Sequence, residues 1–295
     1  MRVFVTGATG FIGSAVVREL IDAGHQVLGM ARNDAGAESL RAAGAQVHRG
    51  DLEDLESLRG GAAVADAVIH TAFIHDFSKF QENCEIDRRA IETLGAELAG
   101  SDRPFVITSG TGMGNAVPRQ PAIEEHFDSN HPNLRRASEV AGASVAGRGV
   151  NVSVVRLPQV HDTVKQGLIT YAIRLAREKG TSAYIGDGLN RWPATHVLDV
   201  AHLYRLAVEK GEAGSRYHAV AEEGVKVRDI AEVIGRSMKL PVISLSPEEG
   251  PAHFGWLAMF AGFDMPASST QTREKLGWNP TGTTLLIDFE NMKYS

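Results

Sequence analysis

The chain of 295 residues has one cysteine, Cys84, so it can form no internal disulfide and no cysteine-based zinc site. That usage fits a reducing cytoplasm, the expected location, and Cys84 itself is expected to be a buried thiol in a helix. Long apolar runs are also missing. The longest, Gly255 to Phe263, is about half the roughly 20 residues a membrane span requires. The chain enters a strand pattern at once, so neither a signal peptide nor an anchor is expected. There is no basic excess either: 30 Lys and Arg against 36 Asp and Glu leave a formal charge of -6, which excludes a whole-protein field able to hold nucleic acid or an anionic membrane. No Gly-x-Ser-x-Gly elbow occurs, and nothing points to hydrolysis. What is present, 43% hydrophobic and 22% charged residues with 31 glycines, describes a globular chain large enough for one large domain and a smaller lobe.

Periodicity organises the first half. Arg2 to Thr6 is a short β-branched run ending in glycine, and Phe11 to Ala23 repeats apolar residues at helical spacing. Strands follow at Gln26 to Met30, Gln46 to His48, Ala67 to His70, Phe105 to Thr108 and Asn151 to Arg156, with helices at Ala35 to Ala43, Phe77 to Ala99 and Leu134 to Gly147. This alternation predicts an α/β fold, a doubly wound parallel sheet of six strands. After Pro158 the pattern loosens, with helices near Val164 to Lys179, Asp199 to Lys210 and Val227 to Met238 and strand fragments at Ala183 to Ile185 and Tyr217 to Ala219. The expected division is a dinucleotide-binding domain over 1–157 and a smaller substrate lobe over 158–295, interleaved with the sheet.

Between the first strand and first helix stands Thr6-Gly7-Ala8-Thr9-Gly10-Phe11-Ile12-Gly13. Glycines here permit a tight turn, close approach of the backbone to a pyrophosphate and close helix-on-strand packing, while the helix amino terminus offers free N–H groups. At the end of the second strand, where NAD-binding folds place an acidic side chain, this chain has Ala31-Arg32-Asn33. Arg32 is either a clamp for the 2′-phosphate of NADP(H) or a solvated loop arginine, with Asp34 close enough to blur the charge; NADP(H) is the preferred cofactor and NAD(H) the alternative.

The glycine spacing joins further segments across the chain: Gly50-Asp51-Leu52, Ile69-His70-Thr71-Ala72, Thr108-Ser109-Gly110-Thr111-Gly112, Arg156-Leu157-Pro158-Gln159-Val160, Ile185-Gly186-Asp187-Gly188, Val197 to Ala201 and Leu276-Gly277-Trp278-Asn279-Pro280. In this order they resemble the short-chain dehydrogenase/reductase superfamily, in its extended or atypical, epimerase/dehydratase-like branch. The resemblance implies a Rossmann-type fold and cofactor contacts from Gly7, Thr9, Gly10, Phe11, Ile12, Gly13, Arg32, Asp51, Leu52, Thr71, Ala72, Phe73, Thr108, Leu157, Pro158 and Val160. It puts Ser109 at the catalytic serine position, and it implies a homodimer through the two long helices, with packing of their apolar positions on the sheet as the alternative. The family's Tyr and Lys on the later helix fall on Arg135 and Glu139. A guanidinium is a poor proton donor but a good electrostatic clamp for a carbonyl oxygen or a phosphate; an i, i+4 ion pair with Glu139 is the plain alternative.

The missing tyrosine leaves the proton source open. Ser109 can bond a substrate carbonyl or simply end its strand, and His161, expected in a loop after the nicotinamide-contacting turn, is either a titrating donor or a loop histidine bonded to backbone. Tyr171 and Lys165 on the next helix, and His75 after the fourth strand, can face the same cleft. His126, Asp128 and His131 lack a paired-histidine metal spacing and are expected to be a solvated loop, so no metal site is expected. The apolar stretch His253 to Phe260 is a lid or, more simply, packed core. The expected activity is NADP(H)-dependent reduction of a small carbonyl substrate without the usual tyrosine acid. A non-catalytic NADP(H)-reading redox sensor is the second reading, and a sugar-nucleotide epimerase or dehydratase ranks last.

Overall fold

Seven parallel strands, in the spatial order Gln46–Arg49, Gln26–Ala31, Arg2–Thr6, Ala67–His70, Phe105–Gly110, Val152–Leu157 and Arg216–His218, form the central sheet. The structure, a computed structural model, describes residues 1–292. Its elements up to the end of the sequence-evident pattern are β1 (Arg2–Thr6), α1 (Phe11–Asp22), β2 (Gln26–Ala31), α2 (Asp34–Ala42), β3 (Gln46–Arg49), α3 (Leu55–Ala63), β4 (Ala67–His70), α4 (Phe80–Leu98), β5 (Phe105–Gly110), α5 (Arg136–Ala146) and β6 (Val152–Leu157). There follow β7 (Gln159–His161), α6 (Ile169–Lys179), β8 (Ser182–Ile185), β9 (Arg191–His196), α7 (Val197–Lys210), β10 (Arg216–His218), β11 (Glu222–Lys226), α8 (Val227–Met238) and β12 (Val242–Leu245). Four short helices end the described chain: α9 (Gly250–Phe254), α10 (Ala258–Ala261), α11 (Thr270–Leu276) and α12 (Leu285–Asn291).

Strand order reverses between β1 and β4, and a doubly wound sheet binds its ligand outside the carboxyl ends of the strands at that switch point. Both faces are covered, as the apolar strand sequences require. On one side Val16, Val17 and Leu20 of α1 pack with Val200, Leu203 and Tyr204 of α7 over Val3, Val5 and Val155. On the other, Leu58 of α3, Ile91 and Leu94 of α4 and Val145 of α5 pack over Phe4, Phe105 and Ile107. Most apolar positions of α4 and α5 are thus buried on the sheet and on each other, whereas Val140 of α5 is 37% exposed.

The periodicity misses α3 in the large domain and the lobe strands β7, β9, β11 and β12, and it misplaces one strand that it finds. The helix α3 is started by Asp54, whose carboxylate accepts from Ser57 N at 3.2 Å. Its Gly60-Gly61 pair hides it, although a side chain at Gly61 would strike the Phe4 ring. The fragment around Tyr217, expected in the lobe, is β10, the seventh strand of the main sheet, paired with β6. Together with α7 it returns residues 197–218 to the large domain. The remaining lobe is a three-stranded sheet, β11-β9-β7, and a two-stranded one, β12-β8, packed with α6, α8 and α12 around Trp192, Ile230 and Phe289. No helix among the described residues is long and apolar enough to cross a membrane.

Candidate active site

The turn after β1 is shaped by close approach. Gly7 has φ +68°, and a Cβ there would sit 2.6 Å from the amide nitrogen of Ala72; one on Gly13 would overlap the Gly7 carbonyl oxygen. Gly10 N donates to that oxygen at 2.9 Å. Gly10 is the extended cap of α1 and has no side chain to occupy the first amides of the helix, which therefore face the switch point. This cradle fits a dinucleotide pyrophosphate: positive backbone dipole, no side chains in the way, and strand ends on both flanks. Phe11 and Ile12 are half-buried on its rim, and Lys165 brings its Nζ to 5.8 Å from the centre of the Phe11 ring. Thr71, whose hydroxyl donates to Thr6 O at 2.7 Å, and buried Ala72 form the β4 side.

At the β2 end, Asn33 caps α2 by accepting from Gly36 N at 2.9 Å. Thr9 packs against that first turn. Asp34 pairs with Arg49 and not with Arg32, so the nearby acid that clouded the sequence reading is already neutralised. The Arg32 side chain is 73% exposed, with Nε 3.9 Å from Asp51 Oδ2 at the end of β3. Leu52 beside it is buried.

The β5 half differs from the expectation. β5 runs to Gly110, not Thr108, so Thr108 and Ser109 are inside a strand and alternate between its faces. Thr108 donates to His70 O at 2.7 Å and bonds the buried Tyr204 hydroxyl at 2.6 Å, on the α7 side. Ser109 points the other way; its buried hydroxyl lies against the Glu139 carboxylate and makes no hydrogen bond of good geometry among the described residues. Ser109 is therefore not open to a substrate as placed. His161 is corrected as well: it stands in β7, paired with β9, fully buried, with Nδ1 2.7 Å from Asp288 Oδ2 and its ring edge-on to His196. Burial holds this imidazole below the usual histidine range against the pull of Asp288. It belongs to the lobe's interior rather than to a loop. Val160 is buried in the same strand, and Leu157 and Pro158 are half-buried at the crossing from β6.

Arg135 and Glu139 do not pair with each other. The Arg135 guanidinium donates from Nη1 to Asp87 Oδ2 at 2.7 Å and to Ser138 Oγ, and from Nη2 to Thr108 O at 3.1 Å; it lies 4.0 Å from the centre of the Phe73 ring. Asp87 is buried on α4 and also bonds His70 Nε2 at 3.1 Å and Ser138 Oγ at 2.6 Å. Burial alone would raise its carboxyl, but Arg135, then the bond to His70, hold it down at about 2. Glu139 is buried too, gripped at 2.8 Å on each oxygen by Arg156 and at 3.0 Å by Arg216. Despite burial its carboxyl stays below the ordinary range because of Arg156. Cys84, buried on α4 as expected, has its thiol pushed up to about 11 by burial.

Two features were invisible in the sequence. One is Asp87, the partner that fixes Arg135. The other is a group of rings between the β4–α4 connection and the lobe. His75 meets Phe73 edge-on at 5.4 Å, Phe77 stacks on Trp256 at 4.5 Å and 14°, and Tyr171 stands edge-on to both, at 6.0 and 5.0 Å. As a whole residue His75 is exposed, yet its ring is desolvated by these neighbours, and that desolvation, followed by the charge of Arg135, lowers its pKa from the usual value. The arrangement offers an anion cradle, a fixed guanidinium and a titrating imidazole along one sheet edge, with Lys165 at the rim.

Residues 3–221 match the NAD dependent epimerase/dehydratase family. An uncharacterized protein of Schizosaccharomyces pombe is 47% identical over the whole of both chains. The 2-alkyl-3-oxoalkanoate reductase of Stenotrophomonas maltophilia is 41% identical over 82% of this chain and 77% of its own. Among solved structures, the dTDP-glucose 4,6-dehydratase of Streptomyces venezuelae with NAD bound superposes with a TM-score of 0.79, covering 99% of this chain and 95% of its own at 19% identity.

Proposed function

The chain belongs to the NAD-dependent epimerase/dehydratase family, NAD(P)-dependent oxidoreductases of the extended short-chain dehydrogenase/reductase kind, and we propose that it is an NADP(H)-dependent reductase of a small carbonyl compound. The observation that carries this reading is Arg135, fixed by Asp87 beside the end of β5 at the position where the resemblance puts the tyrosine. A guanidinium held there binds a carbonyl oxygen and stabilises the negative charge that grows on it, without needing to release a proton.

When bound, the reduced dinucleotide supplies the hydride. The glycine turn and the first amides of α1 hold its pyrophosphate, and Lys165 adds a positive charge at the rim. Arg32, unpaired with Asp34, meets the 2′-phosphate. Arg135 keeps 14% of its side chain exposed and orients the carbonyl. Protonated His75 then delivers its proton to the oxygen, which with the hydride completes the alcohol. Ser109 and His161 have no part in this scheme, both side chains being buried.

A second reading, a non-catalytic NADP(H) sensor, is favoured by one observation: Arg135 directs its bonds inward, to Asp87, Ser138 and Thr108. The two readings part on turnover. Calorimetric titration with NADPH and NADH, repeated for Arg32→Ala, is expected to show NADPH bound at least tenfold tighter and the substitution erasing the gap. Carbonyl-dependent NADPH oxidation then supports the reductase. Binding without oxidation across a panel of aldehydes and ketones supports the sensor, and binding of neither dinucleotide overturns both.

A further inference from the structure

The β4–α4 connection leaves the sheet next to the cofactor cradle, since Ala72 packs on Gly7 and Phe73 follows it directly. One polar partner and several rings leave that point together. Arg135 covers the Phe73 ring; His75 and Phe80 meet Phe73 edge-on, at 5.4 and 6.2 Å; Phe77 stacks on Trp256. Phe77 comes from the large domain, whereas Tyr171 is on α6 and Trp256 lies between α9 and α10, both in the lobe. Aromatic contacts therefore bridge the two halves at the sheet edge where a doubly wound fold takes its ligand.

The lobe's contribution is not ordinary core. In the stretch around Trp256, Phe254 and Leu257 turn inward and are buried, at 5% and 0% exposure, while Trp256 stays 40% exposed. The buried side of the segment is the packed core that the sequence offers as the simpler alternative. The outward side continues in Met259 and Phe263, 59% and 62% exposed. Partly exposed Trp256, set against Phe77 and Tyr171, together with Phe73 under the Arg135 guanidinium, has the composition of a ligand wall: rings for contact, one polar group for orientation.

Resting on the reductase reading, we propose that this wall of Phe73, Phe77, Tyr171 and Trp256 selects a planar aromatic aldehyde or ketone, whose ring stacks on the wall while its carbonyl meets Arg135. A flat ring matches both the stacked and the edge-on contacts that these side chains already make with one another. A saturated ring of the same size fills the volume but offers no π face.

Benzaldehyde and cyclohexanecarbaldehyde are the probes, compared by calorimetric binding to the NADP+-loaded protein and by kcat/KM with NADPH. The expected result is about tenfold tighter binding of benzaldehyde, falling to near parity in Phe77→Ala and in Trp256→Leu, with the dissociation constant for NADPH unchanged in both. Trp256 is partly exposed, so its replacement tests the idea even if Phe77→Ala fails to fold. Equal binding of the two probes, or a preference that survives Trp256→Leu, overturns the aromatic wall. Reduction of cyclohexanecarbaldehyde in that case leaves the reductase standing. Ring-selective binding with no NADPH oxidation supports the wall and overturns the reductase.

Discussion

Arg135 and Asp87 stand 2.7 Å apart across the packing of α5 on α4, and the bond between them makes one charged unit out of the helix start and the buried acid. Asp87 is 1% exposed and its carboxylate has no solvent to fall back on. Arg135→Ala is therefore expected to cost about 3–5 kcal/mol, measured by denaturant unfolding at pH 7. The double variant Arg135→Gln, Asp87→Asn should recover part of that loss, because no buried charge remains. Because the Asp87 carboxyl is held down at about 2, its contribution is complete above the ordinary carboxylate range and is lost as pH falls through that value. A single-variant loss below about 1 kcal/mol would show that the pair holds nothing together.

Position 139 cannot take the family's lysine. Glu139 answers two guanidinium groups, those of Arg156 and Arg216, and both it and Arg156 are fully buried. Glu139→Lys puts three cations together in the interior, and we expect no soluble folded protein from it. Arg135→Tyr combined with Asp87→Asn should fold. If Glu139→Lys instead melts within a few degrees of the parent, the buried carboxylate is dispensable.

The glycine turn can be tested without reference to turnover. Gly13→Ala drives a methyl group into the Gly7 carbonyl oxygen and should abolish measurable NADPH binding by calorimetry. Gly60→Ala in α3 is the matched control, since its new Cβ would meet only His48 Cε1 at an ordinary 3.6 Å. It should leave binding intact and raise stability by roughly 0.5–1 kcal/mol, as alanine does in a helix. NADPH binding by Gly13→Ala at parental affinity would mean the dinucleotide sits elsewhere.

The imidazole of His75 has its pKa lowered, by desolvation first and then by Arg135 and Lys165. A proton donor must carry its proton, so kcat/KM for carbonyl reduction should be highest in acid and fall as pH rises through a value below the ordinary histidine pKa of about 6.5. His75→Gln should flatten that limb and slow reduction by about 10²–10⁴-fold. A pH profile unaltered by His75→Gln sends the search for the donor to Tyr171 or to water.

Much of this molecule was legible along the chain. The alternation of β-branched runs with helical spacing located the first six sheet strands along the chain, because periods of 2 and 3.6 are local properties of the backbone. The cradle was legible because glycine at 7 and 13 answers a backbone need that no other residue meets. The helix α3 was lost because its glycines are there for the Phe4 ring, a long-range demand that overrides helix propensity.

The side chains around the reaction were a different matter. Arg135 and Glu139 follow from counting on from Ser109, and a position in the chain does not fix which face of an element a side chain uses or what lies across from it. Two further residues in β5 put Ser109 inside the strand, facing Glu139, and pairing of β7 with β9 carried His161 into the lobe. Asp87, His70 and Arg135 are 17 and 48 residues apart in sequence, measured from Asp87, and meet only because α4 crosses behind β4 and under α5. The sequence by itself determined six of the seven sheet strands and the glycine turn. Tertiary packing decided which charges pair, which histidine faces the edge and which rings line it, because burial and partner choice depend on contacts between elements far apart in the chain.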